Sequence, residues 1–271
     1  MRIMRGVAAA AACFACLAAW GTVAAQGQPG NGLDVGRQML AEDNPGELWV
    51  ERGDKLFHEK RGPKNASLEQ CDFGMGPGKL AGAFARLPRF FADSGKVEDL
   101  ESRLLKCMVE LQGFDRAAII GTRFSNLDRA SDMEALATYV ASRSNGMKMD
   151  VRLDHPRERE MYKVGEYLFF RRTGPTDFGC VSCHGEEGKR IRLQDLPNMS
   201  DRKQMQAVIA GWPAYRGTHS TVRTMQHRLY DCNWQMRLPD LGYVSDVSIA
   251  LTSYLNYQGN GAVIQVPGVR R

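Results

Sequence analysis

Three pairs of segments recur in the same order along this chain of 271 residues. That internal duplication constrains the fold more than any other feature. Asn44-Pro45 opens an apolar series at Trp49, Gly53, Leu56 and Phe57, and His155-Pro156 opens another at Met161, Val164, Leu168 and Phe169. Both have the spacing of a helix with one buried face and a proline near its first turn. Within them, Gly53-Asp54-Lys55-Leu56-Phe57 matches Gly165-Glu166-Tyr167-Leu168-Phe169. Each series runs into a Gly-Pro turn (Gly62-Pro63, Gly174-Pro175) and then a cysteine, Cys71 or Cys180. Arg103-Leu104-Leu105-Lys106-Cys107 matches Arg228-Leu229-Tyr230-Asp231-Cys232, and Ala135 to Tyr139 matches Ala250 to Tyr254. Each half therefore reads as helix, cysteine-bearing loop, helix with Arg-x-x-x-Cys, and closing helix. Leu100, Leu104, Cys107, Met108 and Leu111 share one helical face, which points Cys107 inward. Ser131 followed by Glu134 reads as a capping box for the first closing helix. Strand alternation is scarce, so an all-α fold is expected.

Residues 1–25 are set aside from the fold. Arg2 and Arg5, an apolar run from Gly6 to Trp20, and Val23-Ala24-Ala25 before Gln26 make an export signal cut after Ala25. The run is short for the roughly 20 residues of a bilayer-spanning helix, the reading an uncleaved anchor would need. Cys13 and Cys16 leave with it. A periplasmic protein without a membrane span is expected, in a compartment where disulfides persist. The net charge of +5 is small and evenly spread, which argues against a nucleic-acid partner.

Five cysteines remain. Cys180-Val181-Ser182-Cys183-His184 reads as a c-type haem attachment site, with Cys180 and Cys183 forming thioethers and His184 ligating the iron. A structural zinc site would need a second Cys-x-x-Cys or a His pair, and neither is present. A thioredoxin-like motif would follow a strand, whereas a helical pattern and a turn precede this one. Helix, attachment loop and closing helix are the pattern of cytochrome c. Two tandem cytochrome c-like domains are expected, 44–148 and 149–271, joined near Asn145 to Pro156 and preceded by an extension, 26–43. The first is expected to lack haem, because Cys71-Asp72-Phe73-Gly74-Met75 would put Gly74 at the second thioether position and Met75 at the imidazole.

Cys71 and Cys107 then stand at the repeat positions of two residues that must flank one haem. Without the haem that half can collapse, and a disulfide could bridge the space. On the chain-entropy model a loop of about 37 residues would be worth roughly 3–4 kcal/mol. Two free buried thiols are the alternative. Cys232 is left single, where an ordinary cytochrome c supplies its sixth ligand. Met225, Met236, His219 and His227 are other candidates, and a plain buried thiol or an intermolecular disulfide are other fates for Cys232. A thiolate ligand would lower the iron potential, which suits a chemically used sulfur better than a simple carrier. Arg228 lies one helical turn before Cys232 and could hold an oxyanion beside the sulfur. It could equally pair with a haem propionate or lie solvated. Arg223 and Arg237 would add positive field, and Asn233 and Trp234 could line the pocket.

With these residues in view the chain resembles the SoxA family, the cytochrome subunit of the SoxAX complex of bacterial thiosulfate oxidation. The resemblance covers the mature chain. It rests on the duplicated halves, Cys180-x-x-Cys183-His184, Arg228-x-x-x-Cys232, Ala85-Arg86-Leu87-Pro88-Arg89-Phe90-Phe91 and Val97-Glu98-Asp99-Leu100-Glu101-Ser102-Arg103-Leu104. It implies an L-cysteine S-thiosulfotransferase that joins thiosulfate to a cysteine of a SoxYZ-type carrier, working with a SoxX-type cytochrome. It further implies Cys232 as axial ligand and persulfide carrier, and Arg228 as the thiosulfate-binding arginine. Some members carry two haems; Gly74 and Met75 make this chain look like the single-haem type, with one covalent haem c. The alternatives are a non-catalytic monohaem electron carrier, which does not need Arg228-x-x-x-Cys232, and a haem sensor or structural subunit, which would not turn over thiosulfate.

Overall fold

A computed structural model describes residues 42–191 and 194–270. The export segment 1–25, and all of the 26–43 extension but its last two residues, lie outside the described residues. The first half runs α1 (Glu47–His58), a 3-10 turn (Phe84–Arg86), β1 (Arg89–Phe91), β2 (Lys96–Glu98), α2 (Leu100–Glu110), α3 (Arg116–Gly121) and α4 (Asp132–Ser142). The second half runs α5 (Pro156–Phe170), α6 (Cys180–His184), β3 (Arg190–Ile191), β4 (Gln194–Asp195) and α7 (Arg202–Ile209). It continues with β5 (Ala214–Arg216), β6 (Thr221–Arg223), α8 (Met225–Gln235), α9 (Asp246–Gln258) and β7 (Gly268–Arg270). The described residues are mostly helical, but the all-α expectation needs correcting by the three small sheets among them. Strands of two or three residues are too short for their alternation to register in a sequence.

The same helix crossing builds both halves. Gly53 of α1 lies against Ala135 of α4, and a Cβ on it would run into the Ala135 carbonyl and come within 2.6 Å of Tyr139 Cβ. Gly165 of α5 meets Ala250 of α9 in the same way, with Tyr254 Cβ at 2.9 Å. Glycine is needed at both because the backbones approach too closely for a side chain. Phe57 and Phe169 are buried beside these crossings. Val164, expected on the buried stripe of α5, is instead exposed on its outer face with Tyr167 and Phe170.

Downstream of α1 and α5 the two loops follow one path. The bridges Arg61–Ala66 and Thr173–Phe178 correspond, Gly62 and Gly174 have φ of 69° and 74°, and Asn65 and Asp177 have φ of 46° and 50°. Counted from these turns, Leu68 stands where Cys180 does, Cys71 where Cys183 does, and Asp72 where His184 does. This corrects the expected register, which set Cys71 against Cys180 and looked for the lost ligands at Gly74 and Met75. The Asp72 carboxylate instead accepts the N–H groups of Gly74 and Gly76 at 2.7 and 2.9 Å. Leu68 and Phe73 are fully buried, with Leu104 and Leu105. Cys71 and Cys107 are joined by a disulfide with a Cα separation of 5.7 Å.

Hairpin β1–β2 feeds α2 through its N-cap Asp99, and hairpin β5–β6 feeds α8 through its N-cap Thr224. The halves meet where these two helices begin. Gln226 donates to Asp99 at 2.6 Å, and Tyr243 donates to Glu101 at 3.0 Å. Burial, then the charges of Asp99 and Glu134, push the Glu101 carboxyl well above its ordinary range. The capping box expected at Ser131 is only half formed. Ser131 caps the Glu134 N–H at 3.3 Å, but the Glu134 carboxylate turns to the Ser125 N–H and to His227.

Candidate active site

Cys180, Cys183 and His184 project from the single turn of α6. Gly179 precedes them because a Cβ there would run into the Arg171 carbonyl, and its N–H donates to Ser182 Oγ at 3.1 Å. His184 Nδ1 lies 3.0 Å from the Pro197 carbonyl, which makes it the protonated nitrogen and leaves the Nε2 lone pair for a metal. Burial pushes the His184 pKa down, and Arg228 acts in the same direction. Cys180, Cys183 and Cys232 are all unpaired and half-buried. Burial first, then the nearby Cys232, pushes the Cys180 thiol up to about 12, so the Cys232 sulfur lies within electrostatic reach of the attachment turn. Two unpaired thiols and an imidazole held by its Nδ1 are the donor set that covalent haem attachment requires. The residues fit the group.

Arg228 and Cys232 lie one turn apart on α8, which Thr224 caps by accepting the His227 N–H at 3.3 Å. No side-chain hydrogen bond or ion pair engages Arg228 among the described residues. The other basic residues expected here are committed elsewhere. Arg223 forms an ion pair with Asp231. Arg237 lies over the exposed Trp234 ring, 5.8 Å from its centroid. Asn233 is buried and ties the Pro239 carbonyl at 2.9 Å. His227 is no candidate ligand, because Nδ1 lies 2.6 Å from Glu134 of the first half and Nε2 3.7 Å from Asp231. Phe124 stacks on its ring at 4.1 Å.

One neighbouring residue leaves no signal in the sequence. Arg216, on β5, is half-buried, and its Nε has no hydrogen-bond acceptor among the described residues. Burial, followed by the charges of Arg228 and Arg223, pushes its guanidinium down to about 10, against the pull of Cys232. His219 reports the same field: burial, Arg223 and Arg216 push it to about 4. Only the pairing of β5 with β6 brings Arg216 here, and three-residue strands leave no pattern to read.

Two halves of one plan, the second with two unpaired thiols and an Nδ1-held imidazole on one turn, have the build of a c-type cytochrome. The model of the SoxA/TsdA cytochrome c domain family matches residues 52–149 and 164–264, and the chain belongs to that family. It is 47% identical over 235 residues to the L-cysteine S-thiosulfotransferase subunit SoxA of Hydrogenophilus thermoluteolus, covering 87% of this chain and 86% of the relative. A SoxA subunit of Hydrogenobacter thermophilus is 35% identical, covering 92% of each. In the crystal structure of SoxXA from P. pantotrophus, one chain superposes with a TM-score of 0.72 at 26% identity, covering 88% of this chain and 84% of that one. No helix among the described residues is long and apolar enough to cross a membrane.

Proposed function

We propose that this chain is the haem-bearing subunit of a periplasmic L-cysteine S-thiosulfotransferase, exported by residues 1–25 and organised as domains 44–148 and 149–271. The observation that carries this reading is the pair on α8: an unpartnered guanidinium, Arg228, one turn from an unpaired thiol, Cys232, beside the attachment turn. One haem c, held by Cys180, Cys183, His184 and Cys232, would supply an electron acceptor at this site. Arg228 binds the thiosulfate dianion beside the Cys232 sulfur, and a sulfur–sulfur bond forms between the two as the Cys232 thiol proton and two electrons leave. Exchange with the carrier's thiol moves the thiosulfate group onward and returns the proton to Cys232. The net reaction joins the terminal sulfur of thiosulfate to the cysteine sulfur of a SoxYZ-type carrier. The thiol proton leaves and two electrons are released. That is one more electron than a single haem stores, so a SoxX-type cytochrome partner belongs to the reading.

Two contrasts between the halves support it. Leu68 and Asp72 occupy the thioether and imidazole positions of the first half, and the buried Leu68 and Phe73 fill its core, as a haemless domain requires. Val164, Tyr167 and Phe170 form an exposed apolar face on α5 where α1 carries Arg52, Lys55 and His58. A subunit docking beside the haem domain would cover such a face.

Cys232→Met tests the reading. It should keep a six-coordinate haem, raise the potential, and lower transferase turnover at least about a hundredfold. Near-normal turnover would show that the sulfur is a ligand only. A pyridine haemochrome assay should return one haem per chain; two would refute the haemless first half.

A further inference from the structure

The duplication supplies an internal reference for the surroundings of Arg228. The ladder pairs Phe91 with Lys96 and Arg89 with Glu98 in the first half, and Arg216 with Thr221 and Ala214 with Arg223 in the second. Each hairpin runs directly into its N-cap and helix, so Arg216 occupies the place of Phe91, Arg223 that of Glu98, and Arg228 that of Arg103. In the first half the Arg103 guanidinium lies 4.0 Å from the Phe91 ring centroid. It pairs with Glu98 at 3.0 Å and Asp93 at 2.8 Å. In the second half a guanidinium replaces that ring, Arg223 replaces Glu98, and Thr218 replaces Asp93. Arg228 has lost both carboxylate partners and gained two arginines.

The remaining cations can be assigned. Arg223 is neutralised by Asp231, which stands at the place of Lys106. Arg270, opposite Arg216 on β7, donates to the carbonyls of Ala207, Val208 and Val269. Among the described residues Arg216 and Arg228 are left without a carboxylate or a carbonyl, and the Nε of Arg216 is buried with no acceptor. Two uncompensated like charges in one half-buried corner repel each other, and a ligand carrying two negative charges would relieve both.

We propose that Arg216 is a second anion-binding residue, which with Arg228 makes the site selective for a doubly charged oxyanion over a singly charged one. The identity of that anion as thiosulfate rests on the proposed function. Arg216 binds, and Cys232 remains the reacting group.

Calorimetric titration of the haem-loaded chain with its cytochrome partner, using sulfate as an unreactive dianion and nitrate as a monoanion, tests this at low ionic strength. Wild type should bind sulfate in preference to nitrate. Arg216→Gln should weaken sulfate about ten- to a hundredfold and raise the thiosulfate KM in parallel, with nitrate and the haem spectrum little changed. Arg216→Lys keeps the charge and loses the fork, so an intermediate loss is expected; it carries the test alone if Arg216→Gln fails to fold. Sulfate affinity within twofold of wild type in a folded Arg216 variant, with Arg228→Gln weakened, would overturn the inference. A wild-type complex that binds sulfate through Arg216 but never turns over thiosulfate would overturn the proposed function instead.

Discussion

The two halves of this chain share a backbone plan and have opposite interiors. Both cross an N-terminal and a closing helix at a glycine, and both carry Arg-x-x-x-Cys on the helix after a hairpin. In the first half the cysteine is spent in a disulfide and the arginine is sandwiched between an aromatic ring and two carboxylates. In the second the cysteine is unpaired and the arginine faces other arginines. One motif closes a core; the other holds charge and sulfur uncompensated at a site. Chemistry here depends on the neighbours that each copy of the motif has kept or lost.

The largest test of this contrast is Arg103→Ala. Removing the buried guanidinium would strand the buried Glu98, while the half-exposed Asp93 keeps Lys106, and loss of one partner of a buried pair costs about 3–5 kcal/mol. Thermal unfolding should move accordingly, while thiosulfate turnover of the surviving protein should not. Arg228→Ala should behave in reverse, with turnover slowed roughly ten- to a hundredfold and stability nearly unchanged, because no partner is stranded. If both variants lost stability alone, the distinction between the halves would collapse.

A smaller effect is expected from Cys71→Ala combined with Cys107→Ala. Loss of the cross-link should cost about 2–4 kcal/mol in denaturant unfolding and leave the haem spectrum in place. A changed haem spectrum would mean that the first half shapes the second more directly than packing alone.

The smallest is a titration. His219 is held at about 4, so at neutral pH it is uncharged in the folded chain. The unfolded chain takes up that proton near 6.5, so folded stability falls as pH drops from about 6.5 through about 4. In Arg216→Gln or Arg228→Gln the field weakens, and NMR should show the His219 value rising toward 6.5. An unmoved value would place these arginines too far away to matter.

The sequence alone determined the duplication, the Cys-x-x-Cys-His spacing and the one-turn spacing of Arg228 and Cys232. These are features of spacing: helix periodicity and a covalent motif depend only on positions along the chain. Cysteine identity sets Cys71 against Cys180, whereas the shared turn geometry sets Leu68 and Asp72 at the positions of Cys180 and His184. Arg216 and the diversion of Glu134 to His227 were decided by tertiary structure. Both join groups far apart in sequence through strand pairing and the packing of one half on the other, and neither residue differs in type from dozens of surface charges. Whether a charge is compensated depends on which other charges fold against it, and only the folded chain sets that.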